Sequence, residues 1–291
     1  MRPTIAILGP GKVGTALGIA AHRAGYRIAA MGGRAAEAAR QAAGLIGADV
    51  AALPLEAAAG AGELVLVTVS DDAISPLATE LAAKKSFRQG AIIAHCGGAL
   101  GSEALAAAKS SCGGAAASMH PLQTFPTVQA AVERLPGTPF FIEGDKAAAN
   151  ALEQLARDLG GQPVRIAPAA KTLYHAAAVT ACNYLAALMD AATTLMTQAG
   201  LARKEALAAL QPIVWATLDN VFKLGPADAL TGPIARGDAQ TVRRHMEALK
   251  ASPAALENLY RALGLWTVQL AMTKGTLDAP TTEVMKKLLE T

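Results

Sequence analysis

Short apolar runs alternate with alanine-rich helical segments up to about residue 165 of this chain. The apolar runs lie at residues 4–8, 26–31, 64–69, 91–94, 115–119 and 140–142. Each run is short and almost uniformly apolar, which is typical of strands that are buried on both faces. This alternation predicts an α/β fold in which a doubly wound parallel sheet carries helices on both faces.

The pattern changes after the run 164–166, because no strand-like segment follows it. Helical patterns occupy residues 171–198, 204–225, 241–250 and 253–272, and the glycine- and proline-rich segment 225–238 predicts a loop between helices. We therefore expect a nucleotide-binding α/β domain at residues 1–165 and an all-α domain at residues 166–291. A length of 291 residues agrees with two domains.

Composition excludes several classes of protein. A net charge of +3 without a basic block, together with 4% aromatic residues, argues against a nucleic-acid surface. Cys96, Cys112 and Cys182 are far apart and lack metal-type spacing, which favours a reducing compartment. The N-terminal apolar run is too short for a signal peptide, and the most apolar helical stretch, 172–189, contains several polar residues. We expect a cytoplasmic protein that binds neither nucleic acid nor membrane.

A glycine-rich turn follows the first predicted strand. Its residues are Gly9, Pro10, Gly11, Lys12, Val13 and Gly14. In a strand–turn–helix context, the first glycine permits the tight turn, the second lets a pyrophosphate approach the backbone, and the third allows close packing of the helix on the strand. The free N–H groups at the helix start then bind the anion. These residues predict a dinucleotide site.

The end of the second strand indicates which dinucleotide is bound. NAD sites usually carry an acid there for the ribose hydroxyls, whereas this chain has Gly32, Gly33 and Arg34. Two small residues leave room for a 2′-phosphate, and a guanidinium suits a phosphate, so NADP(H) is the expected cofactor. Val69 and Ser70, at the end of a later strand, are expected to border the nicotinamide ribose.

Polar residues at two further strand ends are candidate substrate contacts. His95, Cys96 and Gly97 follow one strand, and His120 follows another. For His95, a satisfied loop histidine is an equally good interpretation, whereas the rigid Pro121 after His120 favours a functional role. A metal enzyme that uses His95, Cys96 and His120 is a weaker hypothesis, because their spacing matches no metal motif, and we expect no metal.

A polar stripe follows one face of the helix that begins near residue 169. Lys171, His175 and Asn183 are spaced by four and eight residues. Such a stripe either lines a cleft or forms an internal network, and we favour the cleft. There we expect Lys171 and His175, with His120, to orient a carbonyl or imine and deliver a proton, and Asn183 to contact substrate. Tyr174 is interpreted as a packing residue.

Residues 230–238 combine turn formers with polar side chains. As structure alone, the segment predicts a loop with Asp238 as the N-cap of the next helix. Thr231 and Arg236 are candidate substrate contacts, with Arg236 binding a carboxylate; alternatively, Arg236 pairs with Asp238 across a subunit contact. Both interpretations stay open.

The whole chain resembles the bacterial Rossmann-like proteins that carry a C-terminal domain of unknown function, number 2520. The resemblance rests on GPGKVG at 9–14, TVSDDAI at 68–74, HCGGALGSEAL at 95–105, HPLQTF at 120–125, YHAAAVTACN at 174–183 and LTGPIARGD at 230–238. It implies a Rossmann sheet followed by a helical domain, and it spans nearly the entire sequence.

More distantly, the chain is similar to the superfamily of 6-phosphogluconate and 3-hydroxyisobutyrate dehydrogenases and pyrroline-5-carboxylate reductases. That likeness implies a homodimer formed through the helical domain. In the hydroxyacid branch an asparagine follows the catalytic lysine by four residues, whereas here His175 follows Lys171. The main hypothesis is an NADP(H)-dependent oxidoreductase that acts on a small carbonyl, hydroxy or imine substrate at the domain cleft. The alternative is a non-catalytic NADPH sensor.

Overall fold

The computed structural model describes residues 2–290 and divides into two compact units. The first unit ends at Ala181 and the second begins at Cys182. The last strand ends at Arg165, whereas the division into units falls inside the long helix that follows. The predicted domain boundary at residues 165 and 166 therefore stays a prediction.

Eight strands form one sheet in the first unit, in the order β3-β2-β1-β4-β5-β6-β7-β8. They are β1 (Ile5–Leu8), β2 (Ile28–Gly32), β3 (Ala51–Leu53), β4 (Leu64–Val67), β5 (Ile92–His95), β6 (Ala115–Pro121), β7 (Pro139–Gly144) and β8 (Gln162–Arg165). The central strands β1 and β4 are buried at every residue. The predicted α/β class is confirmed, and β3 is a strand that the sequence analysis did not identify.

One strand pair corrects the expectation of a fully parallel sheet, because β6 and β7 are antiparallel. A parallel return needs a crossover of a dozen or more residues, usually through a helix that covers the sheet. The helix between these strands, α6 (Val128–Arg134), instead packs against α1 through Ala131, Val132 and Ala16. β7 therefore returns beside β6 in the opposite direction.

Helices cover both faces of the sheet. Besides α6 they are α1 (Lys12–Arg23), α2 (Ala36–Ile46), α3 (Leu55–Ala61), α4 (Asp71–Ala83), α5 (Ala106–Cys112) and α7 (Lys146–Asp158), with 3-10 helices at Ser102–Leu105 and Pro168–Ala170. Successive residues of a strand point to opposite faces, so Leu64 and Leu66 join one apolar core while Val65 and Val67 join the other.

Helices make up the second unit. α8 (Lys171–Gln198) begins in the first unit and is followed by α9 (Arg203–Leu224), α10 (Pro226–Ala229), α11 (Ala239–Leu249), α12 (Ala254–Lys274) and α13 (Ala279–Glu290). No strand follows Arg165 within residues 2–290, so the all-α expectation is confirmed. α13 was not predicted, and α10 places one helical turn in the predicted loop. The core of this unit includes Val242, Val268 and Met285.

Asp238 caps α11 as predicted, because its carboxylate accepts hydrogen bonds from the backbone N–H of Thr241 at 3.0 Å and from its hydroxyl at 2.7 Å. None of the helices within residues 2–290 combines the length and the apolarity that a membrane crossing requires.

Candidate functional site

Close packing explains two of the three glycines in the turn after β1. Gly9 has a φ of +123°, and a Cβ there would lie 2.8 Å from the carbonyl carbon of Thr68. A Cβ on Gly14 would lie 2.3 Å from both the Gly9 oxygen and the Thr68 Oγ1. The Thr68 hydroxyl donates to the Gly9 carbonyl at 2.8 Å. The turn is therefore held against the end of β4, and neither position has room for a side chain.

Gly11 differs from its two neighbours, because a Cβ there would meet no described atom within 4 Å. Gly11 is the N-cap of α1 in extended conformation, and no side chain within the described residues caps it. Lys12 and Val13 form the first turn, whose backbone N–H groups have no partner inside the helix. The arrangement leaves an open, positively polarised helix end that suits a phosphate group.

A pocket of about 720 Å³ opens at this turn and extends along the carboxyl edge of the sheet. Its size lies within the range of small-molecule and cofactor sites. The pocket brings together seven of the residues predicted to bind cofactor, namely Gly9, Pro10, Gly11, Gly33, Arg34, Val69 and Ser70. The other three, Lys12, Val13 and Gly14, lie in the first turn of α1.

Crowding at the end of β2 explains the absence of an acid there. A Cβ on Gly32 would lie 2.6 Å from the Ala58 Cβ, and a Cβ on Gly33 would lie 2.9 Å from the Pro10 Cγ. Arg34 follows, is exposed, and makes no hydrogen bond or ion pair with any residue between 2 and 290. The first side chain available at this end of the pocket is therefore a guanidinium, which suits a phosphate.

The opposite wall of the pocket was not predicted. It includes Leu55, Glu56, Leu77 and Glu80 from α3 and α4. The ammonium of Lys84 lies 2.5 Å from the Glu56 carboxylate and 2.6 Å from that of Glu80, so it balances one of the two negative charges. The apolar members of this wall provide a surface on which a flat ring can lie.

A row of three buried polar side chains crosses β5, β6 and β7. The strand register pairs His95 with Ser118 and Ser118 with Glu143. All three are at most 2% exposed. The Ser118 hydroxyl donates to the Glu143 Oε1 at 2.6 Å. Glu143 also accepts bonds from the Ser102 N–H at 2.8 Å and the Ser102 hydroxyl at 2.9 Å.

His95 uses both ring nitrogens to hold its own loop. Its Nδ1 accepts from the Gly97 N–H at 3.1 Å, so the neutral ring carries its proton on Nε2 and donates to the Gly101 carbonyl at 2.9 Å. Burial lowers the pKa of His95 and favours this neutral form. The geometry favours the interpretation of His95 as a satisfied loop histidine, because no ring nitrogen is left for a substrate.

Lys171 is a buried cation at the start of α8. It is 1% exposed, and its Nζ donates to the Ser118 Oγ at 2.6 Å. Burial lowers its pKa, while the carboxylate of Glu143 is the largest influence in the opposite direction. Its ammonium is directed to Ser118 and not to solvent, so direct contact with a substrate stays a prediction.

Three aromatic side chains meet above this buried network. His120 lies two residues beyond Ser118 on the same face of β6, and its Nδ1 lies 2.8 Å from the Tyr174 hydroxyl. His175 meets His120 edge to face at 5.8 Å between ring centroids, and Tyr174 stacks on Phe141 at 4.0 Å. His120, Tyr174 and His175, which together form the aromatic cluster, are each half-buried and so more accessible than the network below them.

Gly98 completes the aromatic cluster. A Cβ there would lie 2.2 Å from His175 Cδ2 and 3.1 Å from His120 Nε2, so the imidazoles sit directly against the backbone. The same loop rests on α4, because the Ala99 N–H donates to Asp71 at 3.4 Å and a Cβ on Gly97 would lie 2.7 Å from Asp71 Oδ1. The loop thus connects the aromatic cluster to the end of β4 that lines the pocket.

Burial, partly offset by Lys171, raises the pKa of the half-buried Cys96 thiol to about 12 and keeps it protonated at neutral pH. Residues 2–290 place no group of three or more His, Cys, Asp or Glu side chains where it could hold a metal ion. Asn183, Thr231 and Arg236 belong to the second unit and are exposed, and their roles as substrate contacts stay predictions.

Sequence reasoning missed Ser102, Ser118 and Glu143, and it treated Tyr174 as packing only. Ser118 stands inside an apolar run, and Glu143 stands near the end of a strand, where an acid is usually solvated. The one available signal was the alternation along β6, which places Ser118 and His120 on the same face.

The comparisons agree with this architecture. Residues 1–121 match a Rossmann-like domain, and residues 138–267 match DUF2520, a domain of unknown function. The chain belongs to the proteins that combine a Rossmann-like domain with a C-terminal DUF2520 domain. Among curated proteins, no sequence matches the chain.

Solved structures share the fold over most of the chain. A Bacteroides fragilis protein described as a "putative NADP oxidoreductase" is 25% identical, with a TM-score of 0.70 over 90% of this chain and 96% of its own. A Thermotoga maritima protein is also 25% identical, with a TM-score of 0.70 over 93% and 99%. An imine reductase from a Pseudomonas species, at 18% identity and a TM-score of 0.61 over 100% and 93%, shows the shared fold alone.

Proposed function

We propose that this protein is an NADP(H)-dependent oxidoreductase that transfers hydride between the nicotinamide and a small carbonyl, hydroxy or imine substrate. The observation that carries the proposal is the pocket at the first glycine turn, where Gly11 leaves open space at a helix N-terminus and Arg34 is unpaired. The 25% identity to the Bacteroides fragilis protein supports the same class of activity.

The residues present fit a phosphorylated dinucleotide. Gly11 and the first turn of α1 would hold the pyrophosphate, and Arg34 would pair with a 2′-phosphate beside the crowded Gly32 and Gly33. Leu55 and Leu77 offer an apolar wall for the adenine. When bound, the reduced cofactor supplies the hydride, so the chain has only to orient a substrate and supply a proton.

The aromatic cluster is suited to that task. His175 and the hydroxyl of Tyr174 are half-buried and carry exchangeable protons, and His120 bonds to Tyr174. Burial and the charge of Lys171 lower the pKa of His120 to about 4, so that ring is neutral at physiological pH. We propose that His175 and Tyr174 orient the substrate and deliver a proton, while Lys171 acts through its charge from beneath them.

The test begins with calorimetric titration of NADPH and NADH into the wild type, Gly11→Ala and Gly44→Ala. Both glycines leave open space for a Cβ, but only Gly11 lines the pocket. We expect NADPH to bind the wild type and Gly44→Ala, and to bind Gly11→Ala at least about tenfold more weakly, a loss of about 1.4 kcal/mol, without loss of thermal stability. No heat from either dinucleotide would overturn the proposal.

A non-catalytic NADPH sensor is the second candidate, and the burial of Lys171 favours it, since a lysine that is 1% exposed does not meet a substrate directly. The two functions separate when NADPH is mixed with the protein and a panel of keto acids, cyclic imines and aldehydes. An oxidoreductase oxidises NADPH with at least one of them, whereas a sensor leaves NADPH unchanged with all of them.

We also propose a homodimer formed through the helical unit and a cytoplasmic location. Large apolar side chains of α9 and α12 are exposed, among them Ile213, Trp215, Phe222 and Trp266. An exposed apolar surface of this kind is typical of a protein–protein interface. The three free cysteines agree with a reducing compartment.

A further inference from the structure

Two opposite charges are buried on either side of one hydroxyl group. Lys171 is 1% exposed and Glu143 is 2% exposed, and the fully buried Ser118 accepts from the first and donates to the second, each at 2.6 Å. In this arrangement the lysine donates and the carboxylate accepts, which fits an ammonium and a carboxylate on opposite sides of the hydroxyl. A buried charge is costly unless it is balanced nearby, so each of the two ions depends on the other.

Other titratable groups surround Lys171, but none of those described below is linked to its ammonium through the Ser118 hydroxyl as Glu143 is. Asp71 of α4, Cys96 after β5 and Glu103 of the 3-10 helix contribute to its electrostatic surroundings, and His95 and His120 are affected by its charge. Asp71 lies against the Gly97 and Ala99 backbone. Within residues 2–290, Glu143 alone among these carboxylates is linked to the Lys171 ammonium through a chain of two hydrogen bonds.

We propose that Glu143 is a positioning residue that, through the hydroxyl of Ser118, fixes the ammonium of Lys171 and keeps it charged beneath His120, Tyr174 and His175. The catalytic role of this charge rests on the proposed function. A fixed positive charge at this depth stabilises the negative charge that develops on a substrate oxygen or nitrogen during hydride transfer.

Glu143 also fixes the loop against which the imidazoles lie. Its carboxylate binds the N–H and the hydroxyl of Ser102, which directly follows the Gly97–Gly101 segment held by His95. One carboxylate therefore positions both the charge under the aromatic cluster and the backbone beside His175. The register of β6 and β7, which pairs Ser118 with Glu143, makes this double role possible.

The test is a pH titration of the full chain labelled with carbon-13 lysine and followed by NMR, without cofactor or substrate. The Lys171 resonance is assigned by its loss in Lys171→Met. We expect the pKa of Lys171 to fall in Glu143→Gln, because the largest influence that favours the charged form is removed. Asp145→Asn is the matched control, since Asp145 lies one residue after β7 and pairs with Lys109 instead.

Ser118→Ala retains both charges and removes only the hydroxyl between them, and it too should lower the pKa of Lys171. If Glu143→Gln does not give the NMR spectrum of a folded protein, Ser118→Ala replaces it and carries the test. In Glu143→Asp the pKa should return toward that of the wild type. An unchanged pKa in Glu143→Gln, or in Ser118→Ala where that variant carries the test, would overturn the proposal, as would an equal fall in Asp145→Asn.

This titration does not depend on turnover, so its result is separate from that of the proposed function. If the protein oxidises no NADPH but the pKa of Lys171 falls as expected in Glu143→Gln, the charge network is supported and the proposed oxidoreductase function is not. If turnover is found, its alkaline limit should move to lower pH in Glu143→Gln and stay in place in Asp145→Asn. A Glu143 that only stabilised the fold would lower the rate equally at all pH values.

Discussion

The Nδ1 atom of His120 lies 2.8 Å from the hydroxyl oxygen of Tyr174, and the two rings meet edge to face. Burial and the nearby Lys171 lower the pKa of His120 to about 4, and burial raises the pKa of Tyr174. Both partners are therefore neutral over a wide range of pH. The bond between them holds an uncharged polar pair at the carboxyl edge of the sheet.

This neutrality predicts a loss of stability in acid. The pKa of His120 lies below its ordinary value of 6.5, so the unfolded chain takes up a proton first as the pH falls. The contribution of the neutral His120 ring to the free energy of unfolding is present in full above pH 6.5 and is lost by about pH 4. This contribution amounts to up to about 3 kcal/mol. Chemical denaturation between pH 4 and 7 should show a shallower pH dependence for His120→Gln than for the wild type. His22→Gln, at a more exposed histidine on α1, serves as the comparison.

Gly14→Ala should destabilise the first unit. The added methyl group would lie 2.3 Å from two oxygens, one of them backbone, so the turn after β1 has to shift. Overpacking of this kind costs about 1–3 kcal/mol. Thermal denaturation compared with Gly44→Ala, which has open space within a helix, measures the effect. Equal melting temperatures for the two variants would contradict the packing at Gly14.

Arg34→Ala should weaken the binding of NADPH and leave that of NADH unchanged. A charged hydrogen bond contributes about 1.5–3 kcal/mol, which corresponds to a loss of about ten- to a hundredfold. Arg40→Ala, on the helix α2 that follows Arg34, is the control, because Arg40 pairs with Glu37 at 2.7 Å. Calorimetry with both dinucleotides decides the matter, and a parallel loss for NADPH and NADH would remove the proposed contact with the 2′-phosphate.

Lys171→Met and Glu143→Gln should each destabilise the protein by about 3–5 kcal/mol, because each leaves a buried charge without its counterpart. The double variant should be more stable than the sum of the two losses predicts, since neither charge remains. A double-mutant cycle of unfolding free energies at pH 7 measures this coupling. Additive losses would show that the two side chains are independent.

Trp215→Lys combined with Phe222→Lys should convert the proposed dimer to a monomer. Both side chains are more than 60% exposed on α9, so the substitutions should leave the fold of the unit intact. Leu45→Lys, at a similarly exposed apolar residue of the first unit, is the control. Analytical ultracentrifugation of the three proteins gives the masses, and a wild-type monomer would refute the proposal.

The sequence predicted the sheet because a strand that is buried on both faces is uniformly apolar, which is a local property. It did not predict β3, whose three residues are partly exposed. The antiparallel direction of β7 could not be predicted either. That direction depends on α6 packing against α1, a contact between residues that are far apart along the chain.

Some parts of the candidate site could likewise be predicted from the sequence, and others could not. The glycine turn was predictable, because backbone conformation and close packing require glycine at particular spacings. The buried acid Glu143 was not, because its environment combines Ser102, Ser118 and Lys171 from three distant segments. Its surroundings arise only when β6, β7 and α8 are brought together.

The tight fit of Gly32 against Ala58, and of Gly33 against Pro10, has a consequence for protein engineering. Redesign of nucleotide preference usually inserts a carboxylate at the tip of β2, but here even one added carbon atom collides with its neighbour. A carboxylate at residue 32 or 33 would require a shift of Ala58 or of the proline ring, or a re-routed backbone. The exposed position of Arg34 is therefore the first place at this edge where a designer could insert an acid without a collision.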